Sequence, residues 1–242
     1  MLPHPPLASH YTTTEEKPAY VKHLFDAGAQ YYDGICDWGF LWTGPAYRRW
    51  TLRRNGLRPG HELLDVACGT GLVASAAAKI LGSAETITCL DPSDGMLAVA
   101  RKKLPARFVQ GRAEALPFAD NTFDFLTMGY ALRHVTSLEQ AFREYHRVLK
   151  PGGKVLIMEV TKPSGRVGEF FFRLYFRKIY PGLAQLFTNS RDAREMMFYF
   201  WETIDACVPP AGVMEAMRAA GFSEVKRVGL LGLFSEYTAV KR

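Results

Sequence analysis

Hydrophobic residues between positions 62 and 160 follow two alternating patterns. Short apolar runs bounded by turn residues are separated by longer segments in which apolar residues recur at helical spacing. We predict strands over 62–67, 86–91, 106–111, 122–129 and 154–160, and helices over 72–81, 93–104 and 137–149. Because most of these strands are joined by single helices, the pattern indicates a parallel sheet with right-handed crossovers.

The chain changes character after residue 160. Residues 165–209 read as a helical insert rich in aromatic side chains, and residues 210–222 as one further helix. Two strand-like runs between 223 and 241 are joined by a tight connection containing Gly229 and Gly232. The predicted fold class is therefore α/β and Rossmann-like, with a seven-stranded, mostly parallel sheet and a C-terminal β-hairpin.

The region before residue 58 is helical but interrupted. Residues 1–20, rich in Pro and Thr, predict an irregular lead-in. Between Val21 and Leu57 we predict two or three short helices with aromatic residues on one side, separated at Gly28, Gly34, Gly39 and Gly44-Pro45. We therefore divide the chain into an N-terminal helical cap (1–57) and a core (58–242) with a helical lid inserted at about 165–209.

Composition excludes several protein classes. The 242 residues are 48% hydrophobic and 22% charged, and no apolar run approaches the roughly 20 residues needed to span a bilayer. The first residues lack the basic start and apolar middle of a secretory signal, so we expect a cytoplasmic protein. The four cysteines are widely spaced without a C-x-x-C pair, which predicts neither a disulfide framework nor a metal site.

A glycine turn follows the first predicted strand. The segment Leu63–Gly71, LLDVACGTG, runs from a buried strand into the turn and then into a helix, whose first N–H groups are unpaired. Small residues there allow a ligand to approach the backbone. The spacing Gly69-x-Gly71-x-x-Ala74 also fits the loose dinucleotide pattern, so the turn alone does not separate S-adenosylmethionine (SAM) from NAD.

Neighbouring residues favour SAM. Asp65, at the end of the first strand, can meet the cationic methionine end of SAM directly or through water but would repel a pyrophosphate. Asp91 ends the second strand, where a carboxylate can accept hydrogen bonds from ribose hydroxyls, a feature that both cofactors share. The polar loop GRAEALPF followed by a Phe-Asp-Phe strand is typical of class I methyltransferases.

Several stretches between Leu63 and Pro163 carry a more specific pattern: LLDVACGTG, LDPSDGMLAVARKKL, GRAEALPFADNTFD, YALRHVT and EYHRVLKPGGKVLIMEVTKP. They resemble the ubiquinone/menaquinone biosynthesis C-methyltransferase family, and LFDAGAQYYDGICDWG and MRAAGFSEV extend the resemblance. The resemblance implies SAM as cofactor, S-adenosyl-L-homocysteine as product and C-methylation of a quinone-like or phenolic ring. The alternatives are O- or N-methylation of an aromatic secondary metabolite, and a SAM-fold protein without methyl transfer.

The resemblance also implies cofactor contacts at Thr70, Asp91, Arg112, Ala113 and Gly129, which join those predicted from the turn and the strand ends. The predicted set is Tyr32, Asp65, Ala67, Gly69, Thr70, Gly71, Asp91, Pro92, Met96, Arg112, Ala113 and Gly129. Two positions depart from the family pattern. Arg112 stands where the family has an Asn or Asp that accepts from the adenine amino group, and Gly129 stands where the family often has Ser.

Arg133 and His134, in YALRHV, are the predicted catalytic residues. They lie just beyond the fourth strand at the carboxyl edge of the sheet, where parallel sheets place their active sites. Arg133 matches the family pattern, which implies that it positions or polarises a substrate oxygen. His134 replaces an Asn of the family. It is either a base that titrates near neutral pH or a hydrogen-bonded loop residue.

The predicted partner is a small apolar or aromatic substrate. Tyr130, Phe172, Tyr175 and Phe176 are the predicted substrate contacts, although core packing or a dimer interface explains such aromatic inserts equally well. The basic residues among them also suit an interfacial helix on an anionic membrane, and we expect a monomer or a homodimer. We expect no nucleic-acid partner, because neither an Asn-Pro-Pro-Tyr nor a Pro-Cys motif is present and the net charge of +6 is modest.

Overall fold

A computed structural model describes residues 1–39, 42–163, 165–230 and 232–242. Seven strands form one sheet in the order β3-β2-β1-β4-β5-β7-β6. Their bounds are β1 Leu63–Val66, β2 Ile87–Asp91, β3 Arg107–Gln110, β4 Phe123–Gly129, β5 Leu149–Val160, β6 Ser223–Leu230 and β7 Phe234–Val240. Strands β1 to β5 are parallel, and β7 is antiparallel to both β5 and β6. This topology confirms the predicted fold class.

Four helices cover the sheet. They are α3 Leu72–Leu81, α4 Asp94–Arg101, α5 Leu138–Val148 and α9 Pro210–Ala219. Ser137 caps α5 by accepting a hydrogen bond from the Gln140 backbone N–H at 3.3 Å, as the Ser-x-x-Gln spacing indicates. The central strands are buried on both sides, so the apolar runs read from the sequence become the core of the sheet.

The N-terminal region contains two helices, α1 Lys17–Gly39 and α2 Gly44–Arg54. The predicted breaks at Gly28 and Gly34 are wrong, because α1 passes through both without interruption. A Cβ at Gly28 would lie 2.8 Å from the Met196 sulfur, so this glycine permits a close helix contact rather than a turn. The predicted boundaries at Gly39 and Gly44-Pro45 are confirmed, and residues 40 and 41 lie outside the described residues.

The insert forms a layer of helices against α1. It comprises α6 Arg166–Leu174, a π-helical turn Tyr175–Ile179, α7 Tyr180–Thr188 and α8 Arg191–Ala206. Side chains of α1, α7 and α8 share one hydrophobic cluster, which includes Ile35, Tyr180 and Met196. Within the described residues, no helix is both long enough and apolar enough to cross a bilayer.

The C-terminal strands β6 and β7 form the predicted hairpin. Gly232 lies in the connection with a φ of +69°, a conformation that favours glycine. Gly229 lies within β6 rather than in the connection, so this part of the prediction is wrong. Residue 231 lies outside the described residues.

Candidate active site

Asp91 organises the glycine turn after β1. Its Oδ2 accepts a hydrogen bond from the Gly69 N–H at 2.8 Å, and its Oδ1 accepts one from the Ser93 N–H at 2.8 Å. The turn is conformationally unusual, because Ala67, Gly69 and Gly71 all have positive φ. Burial raises the pKa of Asp91 to about 6, although both hydrogen bonds oppose that shift. The carboxyl group therefore remains ionised at neutral pH, beside the turn.

Asp65 and Thr70 lie under the turn rather than facing open space. The Asp65 carboxylate is fully buried and accepts from the Thr127 hydroxyl at 2.7 Å and from the Ala74 N–H at 3.1 Å. Burial raises the pKa of Asp65 to about 7. The Thr70 hydroxyl is also buried and donates to Asp33. Both residues thus hold the turn in shape, and the structure gives Asp65 no direct route to a ligand.

Helix α1 crosses the carboxyl edge of the sheet and is attached by two aspartates seven residues apart. Asp26 accepts from the Ser93 hydroxyl at 2.6 Å and from the Gly95 N–H at 2.9 Å, at the start of α4. Asp33 accepts from Thr70 and from Lys103. The helix therefore forms the roof over the glycine turn.

Two adjoining cavities between α1 and the sheet edge share Val21, Lys22, Ala67, Pro92, Ala131 and His134, and together we name them the cofactor cleft. The more open of the two encloses about 460 Å³, a size typical of small-molecule sites. Among the predicted site residues, the cleft is lined by Tyr32, Ala67, Gly69, Asp91, Pro92, Met96, Arg112, Ala113, Gly129, Tyr130 and His134. The structure therefore gathers most of the predicted cofactor contacts around one space.

The two departures from the family pattern have local explanations. Arg112 is 45% exposed, donates to the Thr136 hydroxyl at 3.1 Å and forms an ion pair with Glu114 at 3.5 Å. Gly129, at the end of β4, lies against α3, since a Cβ there would come within 2.7 Å of Val73 Cγ2. A serine at 129 would therefore require the Val73 side chain to move.

A third cavity, which we name the aromatic cavity, adjoins the cleft and is lined mainly by residues of α1, α2 and α8. Its lining residues are Tyr32, Cys36, Thr43, Gly44, Tyr47, Arg48, Tyr130, Tyr180, Met197, Phe200 and Phe234. Tyr32, Tyr130 and Phe200 line both the aromatic cavity and the cofactor cleft. Tyr130 has a φ of +61°, unusual for a bulky residue, at the point where the two spaces meet.

Arg133 and His134 occupy different environments. The Arg133 side chain is fully buried, pairs with Glu159 and lies with its guanidinium carbon 4.5 Å from the centre of the Phe200 ring. It lines none of these three cavities. His134 lines the cofactor cleft, and its buried Nδ1 has no hydrogen-bond partner among the described residues. Burial and nearby cations hold its pKa well below 6.5, so the imidazole is neutral across the physiological range.

The three predicted substrate contacts of the insert lie one layer behind the aromatic cavity. Phe172 and Phe176 are buried in the core of the helical layer, where Phe176 stacks on Phe200 at a centroid distance of 6.1 Å. The Tyr175 hydroxyl donates to the Gly39 carbonyl at 2.7 Å. The residue of this layer that faces both spaces is Phe200, in α8, which the sequence analysis did not select.

Other lining residues missed from the sequence include Lys22, Phe25, Arg48, Ser93 and Met197. Most of them belong to helices whose apolar pattern does not distinguish a cavity wall from a packed core. One signal was available in α1, because Asp26 and Asp33 are seven residues apart and therefore lie on one face of a helix. That spacing could have indicated the side of α1 that contacts the sheet.

A sheet of this order, with a glycine turn after β1 and a carboxylate at the end of β2, is typical of Rossmann-like SAM-dependent methyltransferases. The chain belongs to the ubiE/COQ5 methyltransferase family, whose sequence profile matches residues 12–241. This membership confirms the resemblance seen in the sequence, the assignment to methyl transfer and SAM as the cofactor.

Relatives agree with this assignment, and solved structures share the fold. The chain is 36% identical over 224 residues to the ubiquinone/menaquinone biosynthesis C-methyltransferase UbiE of Shewanella oneidensis, covering 89% of this chain and 88% of that protein. The corresponding protein of Shewanella pealeana is 35% identical over 218 residues, covering 87% and 86% of the two chains. A SAM-dependent methyltransferase structure from Thermotoga maritima has a TM-score of 0.64 at 20% identity, covering 91% of this chain and 99% of that chain.

A second solved structure also shares the fold. Phosphoethanolamine N-methyltransferase 2 of Haemonchus contortus, in complex with phosphomonomethylethanolamine and S-adenosylhomocysteine, has a TM-score of 0.65 at 18% identity. The match covers 96% of this chain and 60% of that chain. At this level of identity the likeness concerns the fold alone.

Proposed function

We propose that this protein transfers a methyl group from SAM to a ring carbon of a phenolic, quinone-like molecule. The observation that carries the proposal is that Tyr32, Tyr130 and Phe200 line both the cofactor cleft and the aromatic cavity. A flat ring in the aromatic cavity faces the cofactor cleft across these three side chains. The name of the Shewanella relatives, ubiquinone/menaquinone biosynthesis C-methyltransferase, supports a carbon acceptor.

The residues around the cleft fit the cofactor. We assign the ribose to Asp91, the methionine end to the turn at Gly69, and adenine to Arg112 and Ala113. Bound there, SAM supplies an electrophilic methyl group on a positively charged sulfur. The ring carbon forms the new bond to the methyl carbon, the carbon–sulfur bond breaks with its electron pair remaining on sulfur, and the ring later releases a proton.

We assign a positioning role to Arg133 and a direct role to His134. Arg133, paired with Glu159, fixes the short helical turn Leu132–His134 at the end of β4. The neutral His134 imidazole then faces the cleft, where it can exchange a hydrogen bond with the substrate oxygen. Because its pKa is low, His134 is a weak base, and alignment of the ring with the methyl group contributes most of the rate.

Product analysis tests the proposal. The purified protein is incubated with SAM carrying a labelled methyl group and with a demethylated quinol that bears an apolar chain. We expect one labelled methyl group on a ring carbon, which NMR distinguishes from a methoxy group by its chemical shift. Asp91→Ala serves as a control with weakened cofactor binding. A labelled methoxy or N-methyl product would overturn the carbon assignment.

A second proposal concerns where the protein acts. Helix α6 exposes Val167, Phe170, Phe171 and Leu174, which are spaced i, i+3, i+4 and i+7 and thus form one apolar stripe. In α7, Leu186 is 74% exposed. Basic residues lie among them at Arg166, Arg173, Arg177 and Lys178. We propose that a cytoplasmic monomer rests this face on an anionic membrane, from which an apolar-tailed substrate is drawn.

Vesicle flotation tests this contact. We expect binding to vesicles that contain anionic lipid, weaker binding at high salt, and loss of binding in the double variant Phe170→Asp, Phe171→Asp. Val228→Asp, at an exposed apolar residue of β6, is the matched control. If the double variant instead converts a dimer to a monomer in size-exclusion chromatography and leaves flotation unchanged, the face is a dimer interface and the membrane proposal is wrong.

A further inference from the structure

Arg48 is a buried cation at the wall of the aromatic cavity. It projects from α2, its side chain is 5% exposed, and its Nε has no hydrogen-bond partner among the described residues. Its guanidinium carbon lies 5.7 Å from the centre of the Tyr130 ring, a contact with an aromatic face rather than with an acid. Burying a charge without a counter-charge costs free energy, so this arrangement requires an explanation.

The buried carboxylates near the cavity already have other partners. Glu236 accepts hydrogen bonds from Tyr47, Thr51 and Arg54, which neutralise and solvate it. Glu159 pairs with Arg133 on the other side of Phe200. Asp65, whose carboxyl group feels the charge of Arg48, is held by the Thr127 hydroxyl and the Ala74 N–H. None of these three acids forms an ion pair with Arg48 in the part of the chain that the structure describes.

The remaining titratable side chains of the cavity do not supply a negative charge either. Burial raises the pKa of Cys36 to about 11, and it raises the pKa values of Tyr32, Tyr47, Tyr130 and Tyr180 above their ordinary value. These groups are therefore neutral at physiological pH. An arginine cannot lose its proton under the same conditions. The described lining of the aromatic cavity thus carries one net positive charge, on Arg48.

We propose that Arg48 binds an anionic oxygen on the aromatic ring of the acceptor substrate, either a phenolate or a ring carboxylate. The proposal rests on the assignment of the aromatic cavity to the acceptor ring, and it narrows the substrate class from apolar aromatics to ionised ones. The guanidinium provides parallel donors that match such an oxygen, and the aromatic walls exclude the water that would weaken the pair. The anionic oxygen of the substrate thus supplies the negative charge that balances Arg48.

This assignment has a chemical consequence for a phenol. A cation next to the oxygen lowers the pKa of the bound phenol, so that a larger fraction is phenolate. The negative charge raises the electron density of the ring carbons that attack the methyl group. Arg48 would then activate the substrate by binding its ionised form, without removing a proton itself.

Direct binding of ring probes tests the proposal without turnover. Protein saturated with S-adenosylhomocysteine is titrated calorimetrically with 2-naphthoate, 2-naphthol and 2-methoxynaphthalene. In the wild type we expect 2-naphthoate or 2-naphthol to bind more tightly than the neutral ether. Arg48→Met should lose roughly tenfold to hundredfold in affinity for the ionised probe and leave the ether unchanged. Arg48→Lys should restore part of the preference for the ionised probe over the ether. Whichever of 2-naphthoate and 2-naphthol binds more tightly identifies the oxygen as a carboxylate or a phenolate.

Unchanged preference in Arg48→Met, with S-adenosylhomocysteine affinity intact, would overturn the proposal. If that variant fails to fold, the wild type still provides a test, because the absorbance of 2-naphthol distinguishes phenol from phenolate. We expect bound 2-naphthol to titrate at lower pH than free 2-naphthol, whereas an equal or higher midpoint, together with no preference for 2-naphthoate, contradicts the assignment. These readouts do not depend on which atom is methylated, so an O-methyl product would refute the proposed function and leave them unaffected.

Discussion

The cofactor cleft and the aromatic cavity adjoin each other but are built in different ways. The cleft is formed largely by residues at the carboxyl ends of adjacent strands, such as Gly69, Asp91 and Gly129. The aromatic cavity is formed by helices far apart in the sequence, with Arg48 from α2 and Phe200 from α8. The contrast teaches that functional residues at the ends of strands can be recognised from short sequence motifs. The residues of a cavity wall made of helices depend instead on how distant segments of the chain pack together.

Arg133 and Glu159 connect these two regions. Arg133 follows β4, Glu159 lies in β5, and the Arg133 Nε donates to the Thr203 hydroxyl of α8 at 3.2 Å. Both charged side chains are almost completely buried. The pair therefore anchors the helical insert to the sheet. Substitutions at Arg133 or Glu159 should reveal how far the stability of the insert depends on its attachment to the sheet.

The largest expected effect follows from breaking this pair. Glu159→Gln leaves the Arg133 guanidinium buried without its counter-charge and should lower the free energy of unfolding by about 3 to 5 kcal/mol. Chemical denaturation measures the loss. The double variant Arg133→Met, Glu159→Leu removes both charges and should recover a large part of it. If Glu159→Gln lowers the free energy of unfolding by less than about 1 kcal/mol, the insert and the sheet are stable without the Arg133–Glu159 pair.

Asp91→Ala should affect the cofactor cleft, including the glycine turn that Asp91 holds through the Gly69 N–H. We expect the binding of SAM and S-adenosylhomocysteine to weaken by about 1.5 to 3 kcal/mol, because a charged acceptor of ribose hydrogen bonds is lost. Calorimetry measures both ligands. Asp94→Ala, three residues away and 63% exposed, is the matched control and should bind both ligands as the wild type does. Equal affinities in the two variants would remove Asp91 from the ribose site.

The pKa of Asp91 predicts how SAM binding depends on pH. Since burial raises this pKa to about 6, the carboxyl group is ionised above that pH and protonated below it. SAM affinity should therefore be constant above pH 7 and fall by up to about tenfold per pH unit below 6. Asp91→Asn should abolish this dependence. A midpoint near 7 that persists in Asp91→Asn would instead assign the titration to Asp65.

The sequence pattern predicts the sheet well and selects most of the strand-end residues that line the cofactor cleft, because each strand and its terminal residue are close together in the chain. Glycine positions were harder to interpret. Gly28 and Gly34 suggested breaks in α1, yet Gly28 provides space for Met196, a partner 168 positions further along the chain. In the same way, Phe172, Tyr175 and Phe176 could not be distinguished from Phe200 by pattern, because all four are aromatic residues on amphipathic helices.

Substitutions at two phenylalanines can distinguish a residue that lines the cavities from a residue that is packed in the core of the insert. Phe200→Leu changes the surface shared by the cleft and the aromatic cavity and should raise the KM for the acceptor several-fold. Phe172→Leu changes a packed residue one layer away and should lower the free energy of unfolding by about 1 kcal/mol with an unchanged KM. Steady-state kinetics and denaturation on both variants measure the difference. The reverse pattern would place the substrate among the helices of the insert, as the sequence analysis expected.

The smallest expected effect is at Arg112, the position in the cleft where this chain departs most from the family pattern. Its side chain donates a hydrogen bond to Thr136 and pairs with Glu114 at the rim of the cleft, where it is 45% exposed. We therefore expect Arg112 to flank adenine without a strong hydrogen bond to it. Arg112→Asn should change SAM affinity by less than about 1 kcal/mol, because Arg112 is half-exposed, the buried Glu114 keeps its hydrogen bonds from Thr136, and the new amide oxygen can accept from adenine. Arg112→Asp offers the same acceptor but places a second carboxylate near Glu114, so it should bind SAM less tightly than Arg112→Asn. Calorimetric measurement of SAM affinity in the two variants separates the effect of the new acceptor oxygen from the effect of the added negative charge. A loss of more than tenfold in Arg112→Asn would show that the guanidinium itself holds the nucleoside, and that the adenine end of the cleft does not follow from the family pattern.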